Sequence, residues 1–262
     1  MSNAALSAPD PVAPPARNPG SLGPVQLAPP PPTRFGAAIR LGASAARARV
    51  VRRPTALAAL LGVALIVVST VIERRAGSAG AVDRVLGNTF RVVLPLVTFG
   101  VTAAATGHDR LRDAVWPLAR YGSSRRDLAL GTILFAMAAS AALAALFAVV
   151  SVVLAHSPGG PPLLRDAFQS AWIGALTASP YAAWFAFGAV FWKRGRGRWI
   201  PLALDLLFGA STGLLGAVFP RGNAQSLLGG AAPLHLSQPS SSAALALSAL
   251  ALTLAAALFC RK

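Results

Sequence analysis

From Thr55 onward, long apolar stretches alternate with short polar or arginine-bearing breaks. A helix that crosses a bilayer needs roughly 20 mostly apolar residues, within a range of about 17 to 25. Six stretches are that long or longer, at residues 55–72, 86–106, 128–155, 167–192, 199–219 and 242–260. Asp205 is the sole carboxylate inside them, as expected where an ionisable group is expensive to bury in hydrocarbon. The pattern predicts an all-α integral membrane protein with six transmembrane helices.

Two segments precede the first span. Residues 34–53 place Phe35, Ile39, Ala46 and Val50 within about 60° of one another at 100° per residue. Arg40 and Arg47 fall on the far side, although Arg49 and Arg53 interrupt the stripe. This reads as an interfacial connecting helix lying on the membrane surface. Residues 1–33 hold 10 of the 21 prolines and few large apolar side chains. They cannot bury enough surface to offset the entropy of ordering, so a disordered cytoplasmic tail is expected. A proline-rich docking ligand is the functional alternative for it.

The 262 residues are 55% apolar and 12% charged, about half the charged share of a soluble domain. That excludes an ordinary soluble globular protein. The formal net charge is nevertheless +16, from 24 basic residues, all arginine but Lys193 and Lys262, against 8 acidic ones. Such a balance invites a nucleic-acid partner, but the positions of the charges argue otherwise. Lys and Arg in short loops stay on the cytoplasmic side. With the N-terminus inside, 18 basic residues fall on inner breaks and six on outer ones: Arg74, Arg75, Arg84, Arg91, Arg165 and Arg221. The bias predicts both termini in the cytoplasm, a plasma (inner) membrane location, basic strips facing lipid headgroups, and no nucleic acid. One cysteine, Cys260, and three scattered histidines offer neither a disulfide framework nor metal-ligand spacing.

Inside the fifth stretch, Gly209-Ala210-Ser211-Thr212-Gly213 matches the G-x-S-x-G pattern of serine hydrolases, which needs a strand-to-helix turn. No strand precedes it, and His108, His156 and His235 all fall in breaks. Gly209 and Gly213, with Gly216 beyond, instead have the spacing that lets two membrane helices approach closely. Helix packing is the expected role. Asp205 stands alone, so no acid and base pair can form around it, and it is expected to be paired with an arginine or protonated. Arg91 can snorkel to the headgroups, and Trp192 and Trp199 suit an interfacial belt.

The break at 107–127 is long enough for a short helix and a turn. Leu111, Val115 and Leu118 recur at helical spacing, while Asp109, Arg110, Arg112 and Asp113 face away. Such a helix can touch a soluble partner, or lie as a solvated interfacial loop.

The succession at 108–132, HDRLRDAVWPLARYGSSRRDLALGT, resembles the signature region of ABC-2 type transporter permeases. There an acidic and basic cluster after the second span leads through a short apolar helix to a turn of the type R-P-V-S-R-x-x-L-x-x-G-K. Arg120, Ser124, Arg125, Leu128 and Gly131 occupy the corresponding types. Tyr121-Gly122-Ser123 replaces Pro-Val with one extra residue, and Thr132 replaces the lysine. The segment 220–239, with four leucines among glycines, prolines and serines, is similar to the partly re-entrant outer segment of that family.

The resemblance covers residues 34–262 and implies a permease domain that docks a separate ATPase subunit. The contact residues would be Asp109, Arg110, Leu111, Arg112, Asp113, Val115, Arg120 and Arg125. No G-x-x-x-x-G-K-[ST] cradle occurs in the chain, so ATP and Mg would be bound on the partner and this chain would be no enzyme. A homodimer, or a heterodimer with a related permease, would enclose the pathway. The rival reading is a non-transporting membrane anchor or assembly protein that recruits a cytoplasmic partner.

Overall fold

The computed structural model describes residues 35–75, 80–157 and 160–260. The tail and docking-ligand readings for residues 1–33, and the basic end at 261–262, lie outside the described residues. The elements in order are α1 (Phe35–Val50), α2 (Arg53–Arg75), α3 (Ala81–Asn88), a π turn (Thr89–Val93), α4 (Leu94–Ala105) and α5 (Leu111–Ala119). Then follow α6 (Arg125–Ala155), α7 (Leu163–Gly188), a 3-10 turn (Lys193–Arg198), α8 (Trp199–Phe208), α9 (Leu214–Val218), α10 (Pro220–Leu227) and α11 (Gln238–Phe259). Among the described residues there is no strand.

Among the described residues, four segments are long and apolar enough to cross a membrane: Thr55–Arg75, Ala81–Ala105, Arg125–Ala155 and Gln238–Phe259. They mark a multi-pass helical membrane protein. The helix α2 buries Gly62, Ile66 and Thr70 and leaves Leu57, Leu60, Leu61 and Leu65 exposed, an apolar exterior that suits lipid. The expected fourth stretch is present as α7, displaced toward the N-terminus. Its 26 residues are diluted by Gln169, Ser170, Thr177, Ser179 and Pro180. That composition follows from position: α7 packs on α4, α6, α8, α10 and α11, so much of its surface meets protein instead of lipid. At the crossing with α6, a Cβ on Gly174 would lie 2.8 Å from the Ala144 carbonyl oxygen.

The expected continuous span at 199–219 is corrected. The helix α8 stops after 10 residues, about 15 Å of rise where a crossing takes about 30 Å. Residues 209–213 are non-helical, consistent with the poor helix propensity of two glycines. The five-residue α9 then ends at Phe219, whose extended backbone (φ −85°, ψ 140°) turns the chain into α10 at Pro220. Non-helical backbone at membrane depth is tolerated only where protein satisfies its polar groups. Here Asn223 Nδ2 donates to the Ala217 and Phe219 carbonyls, at 2.8 and 3.2 Å.

The buried stripe of α1 also differs from the one expected. Ala38, Gly42, Ala46 and Val50 are buried, whereas Phe35 is exposed. Small residues face inward because α1 crosses α6 backbone to backbone. A Cβ on Gly42 would strike the Leu128 carbonyl, and one on Gly131 would strike that of Ile39. At the other end of the bundle, Arg84 Nε pairs with Glu73 Oε2 at 2.7 Å, joining α2 to α3.

Candidate functional site

The sequence places an amphipathic helix after the second span, and α5 occupies that place. Its inward face is Leu111, Ala114 and Val115. Leu111 and Val115 join one apolar cluster with Leu128, Ala129 and Ile133 of α6, Ala186 of α7, and Ala256 and Cys260 at the end of α11. Both are fully buried, so they hold α5 in place and are not available to a partner. The outward face carries Asp109, Arg112, Asp113, Trp116 and Arg120, all exposed.

Local geometry stiffens this surface. Arg112 Nε lies 3.7 Å from Asp113 Oδ1. The Arg120 and Arg125 guanidinium groups stand 5.0 and 5.7 Å from the centre of the Trp116 ring, within cation–π range. Arg110 is half-buried, and its Nε makes no hydrogen bond.

Two arginines, Arg198 from a break and Arg49 from the connecting helix, pin the segment down. Arg198, 4% exposed, donates from Nη2 to Thr106 Oγ1 and to the Asp109 carbonyl oxygen, both at 2.6 Å. Burial lowers its guanidinium to about 10, against the raising effect of the Asp109 carboxylate, so it stays charged at neutral pH. Arg49, near the end of α1, donates to the Ala105 carbonyl at 3.1 Å and the Ala114 carbonyl at 2.9 Å. Burial, with Arg52 adding repulsion, lowers Arg49 as well. The arginine that spoils the apolar stripe of α1 thus ties α1 to α4 and α5.

The signal for Arg198 is its glycine neighbours. Gly195 has φ +59°, and a Cβ there would collide with the Arg198 guanidinium and the Asp109 carbonyl. A Cβ on Gly188 would lie 2.8 Å from the Gly197 carbonyl oxygen. The Leu111 N–H donates to the Ala189 carbonyl at 3.2 Å, completing a junction of α1, α4, α5, α7 and the 3-10 turn.

A second polar group lies where α8 breaks. Tyr181 OH donates to Asp205 Oδ2 at 2.8 Å, and both residues are buried. Arg221, expected on an outer loop, is buried as well and lies beside Asp205 at Gly209: a Cβ on Gly209 would lie 2.7 Å from Asp205 Oδ1 and 3.1 Å from Arg221 Cβ. Asp205 Oδ1, Ser211 Oγ, Arg221 Nε and Asn223 Oδ1 make no hydrogen bond. Asp205, expected to be paired with an arginine or protonated, has Tyr181 as its side-chain hydrogen-bond donor, and the Arg221 charge also acts on the carboxylate.

Gly209 and Gly213 flank the break and share no helix, so they form no common packing face. Gly216 does pack closely: a Cβ on Gly222 would meet its carbonyl. Arg91 is exposed on the π turn, and Trp192 and Trp199 are exposed. Among the described residues, no group of three or more His, Cys, Asp or Glu side chains could hold a metal ion. No family model, curated protein or solved structure matches the chain.

Proposed function

We propose that this chain is the transmembrane permease subunit of an ABC-type, export-like transporter, driven by ATP hydrolysis on a separate subunit. The observation that carries this reading is α5, a short helix whose apolar face is locked into the bundle and whose charged face is free. A partner pressing on Asp109, Arg112, Asp113 and Arg120 acts on a lever. Through Leu111 and Val115 the force reaches α6, α7 and α11; through Arg49 it reaches α1, and through Arg198 the start of α8.

In this reading α7 and the broken α8–α10 segment complete six passes, the α5 end of the bundle is cytoplasmic, and both termini lie on that side of the plasma membrane. The exposed apolar faces of α2 and α8 meet lipid or a second permease chain. The broken segment supports the re-entrant element that the sequence resemblance implies at 220–239, and moves its start back to Gly209.

The test is affinity purification of the tagged full chain from its own host's membranes, followed by an assay for ATP hydrolysis. The wild-type eluate is expected to hydrolyse ATP, and the Arg112→Glu/Asp113→Arg variant to lose that activity while remaining in the membrane. An eluate without ATPase activity, or one whose activity survives the reversal, contradicts the proposal.

A further inference from the structure

Beside the α5 junction, the end of α7 and the start of α8 diverge around a cavity of about 330 Å³, within the range of about 300–1,000 Å³ typical of small-molecule sites. Its walls are Trp184, Phe187, Phe191, Trp192, Ile200 and Leu204, closed on one side by Leu252 of α11. The lining has almost no polar surface. Gly188 and Gly197 form its floor, where a side chain on Gly197 would meet the Gly188 carbonyl and the Trp192 ring. Trp192, Ile200 and Leu204 are exposed as well as lining the cavity, so it opens sideways on the bundle surface.

The 3-10 turn lies directly across the two ends of this cavity's helices. Lys193, Arg194 and Arg196 on it are exposed, and among the described residues no ion pair involves them. The carboxylate that acts on the turn is that of Asp109, through Arg198, one acid beside three further cations. The turn is also strained: Trp192 and Arg194 have φ of 58° and 57°, a region costly for side chains of this size. Such outliers persist where their surroundings over-determine them and cluster at ligand clamps. Here the buried Arg198 fixes the turn, so three exposed cations are carried on the segment that joins the two helices of the apolar slot.

A slot with apolar walls next to a cation-rich turn, opening sideways from a membrane bundle beside the exposed Trp192, matches an amphiphile with one negative end. We propose that this cleft is a binding site for an anionic phospholipid of the surrounding leaflet, one acyl chain lying in the cavity and the phosphate among Lys193, Arg194 and Arg196. Charge complementarity selects an anionic headgroup, and the aromatic walls at headgroup depth are the chemistry of interfacial anchoring. The inference rests on the chain lying in a membrane and does not depend on an ATPase partner.

Trp184 and Trp192 line the cleft, so lipids with brominated acyl chains, which quench tryptophan on contact, report on it directly. The full chain is reconstituted in phosphatidylcholine vesicles doped with a small share of brominated phosphatidylglycerol or, separately, brominated phosphatidylcholine. The brominated anionic lipid is expected to quench several-fold more strongly. The excess should disappear both in Lys193→Gln/Arg194→Gln/Arg196→Gln and in Trp184→Phe/Trp192→Phe. Equal quenching by the two lipids would overturn the proposal. So would an excess that survives the triple substitution. An excess lost with the charges but retained after the tryptophan substitutions would mean anionic lipid gathers around the protein without entering the cleft, and overturns it too.

Discussion

The buried guanidinium of Arg198 donates to the main-chain carbonyl of Asp109 at 2.6 Å, across a separation of 89 residues. The same nitrogen reaches Thr106 Oγ1, so the turn before α8 holds the entry to α5. Arg198→Met keeps most of the packing and removes both bonds. It is expected to cost about 1.5–3 kcal/mol, the range for hydrogen bonds to a charged group. Thermal unfolding in detergent should show the loss, and limited proteolysis should cut first near residues 107–110. An unchanged transition and cleavage pattern would remove Arg198 from this role.

The crossing of α1 over α6 leaves no space at Gly42 or Gly131. Gly131→Ala should therefore lift α1 and destabilise the protein by about 1–3 kcal/mol, the usual range for overpacking. Gly36→Ala is the control, because nothing lies within 4 Å of its Cβ position. Protease access to α1, compared between the two variants, separates a packing effect from a general response to adding a methyl group.

At the break in α8, Gly216→Ala would drive a Cβ into the Ser211 carbonyl, whereas Gly213→Ala meets open space. The first should be clearly destabilising and the second near neutral, as measured by unfolding midpoint. A continuous helix with a G-x-x-x-G face would instead make Gly213 as sensitive as its neighbours.

Tyr181→Phe leaves Asp205, already with one unpaired oxygen, without its tyrosine donor. The expected loss is about 1–3 kcal/mol, the penalty for stranding a buried polar group. Replacing both partners removes the unmet demand, so Tyr181→Phe/Asp205→Leu should be less destabilised than the sum of the two single variants. Additive losses across this cycle would show that the two side chains do not act as a pair.

Hydropathy made the long helices legible, because α2, α6 and α11 are apolar over most of their length and capped by polar breaks. The α5 pattern was legible for the same reason: Leu111 and Val115 repeat at helical spacing between charges. The break at Gly209 was not, since Ala210, Ser211 and Thr212 differ little in hydropathy from residues inside a membrane helix. Nor does hydropathy separate apolar residues that continue a helix from those that line a turn. Phe191 and Trp192 look like the end of α7, but the helix closes at Gly188, where the backbone of Gly197 comes in. The sign of a charge likewise says nothing of its depth. Arg198 and Arg196 are alike as letters, yet one is buried and bonded across the fold while the other faces out.

The most direct measurement of the central proposal is photo-crosslinking from the outward face of α5 in intact membranes. A photoreactive side chain placed at Arg112 should give an adduct with a protein that also takes up labelled ATP analogue. The same side chain at Leu164, 85% exposed at the start of α7, should not. An α5 docked on an ATPase predicts that contrast. No nucleotide-binding adduct at Arg112, or equal adducts from both positions, would contradict the account.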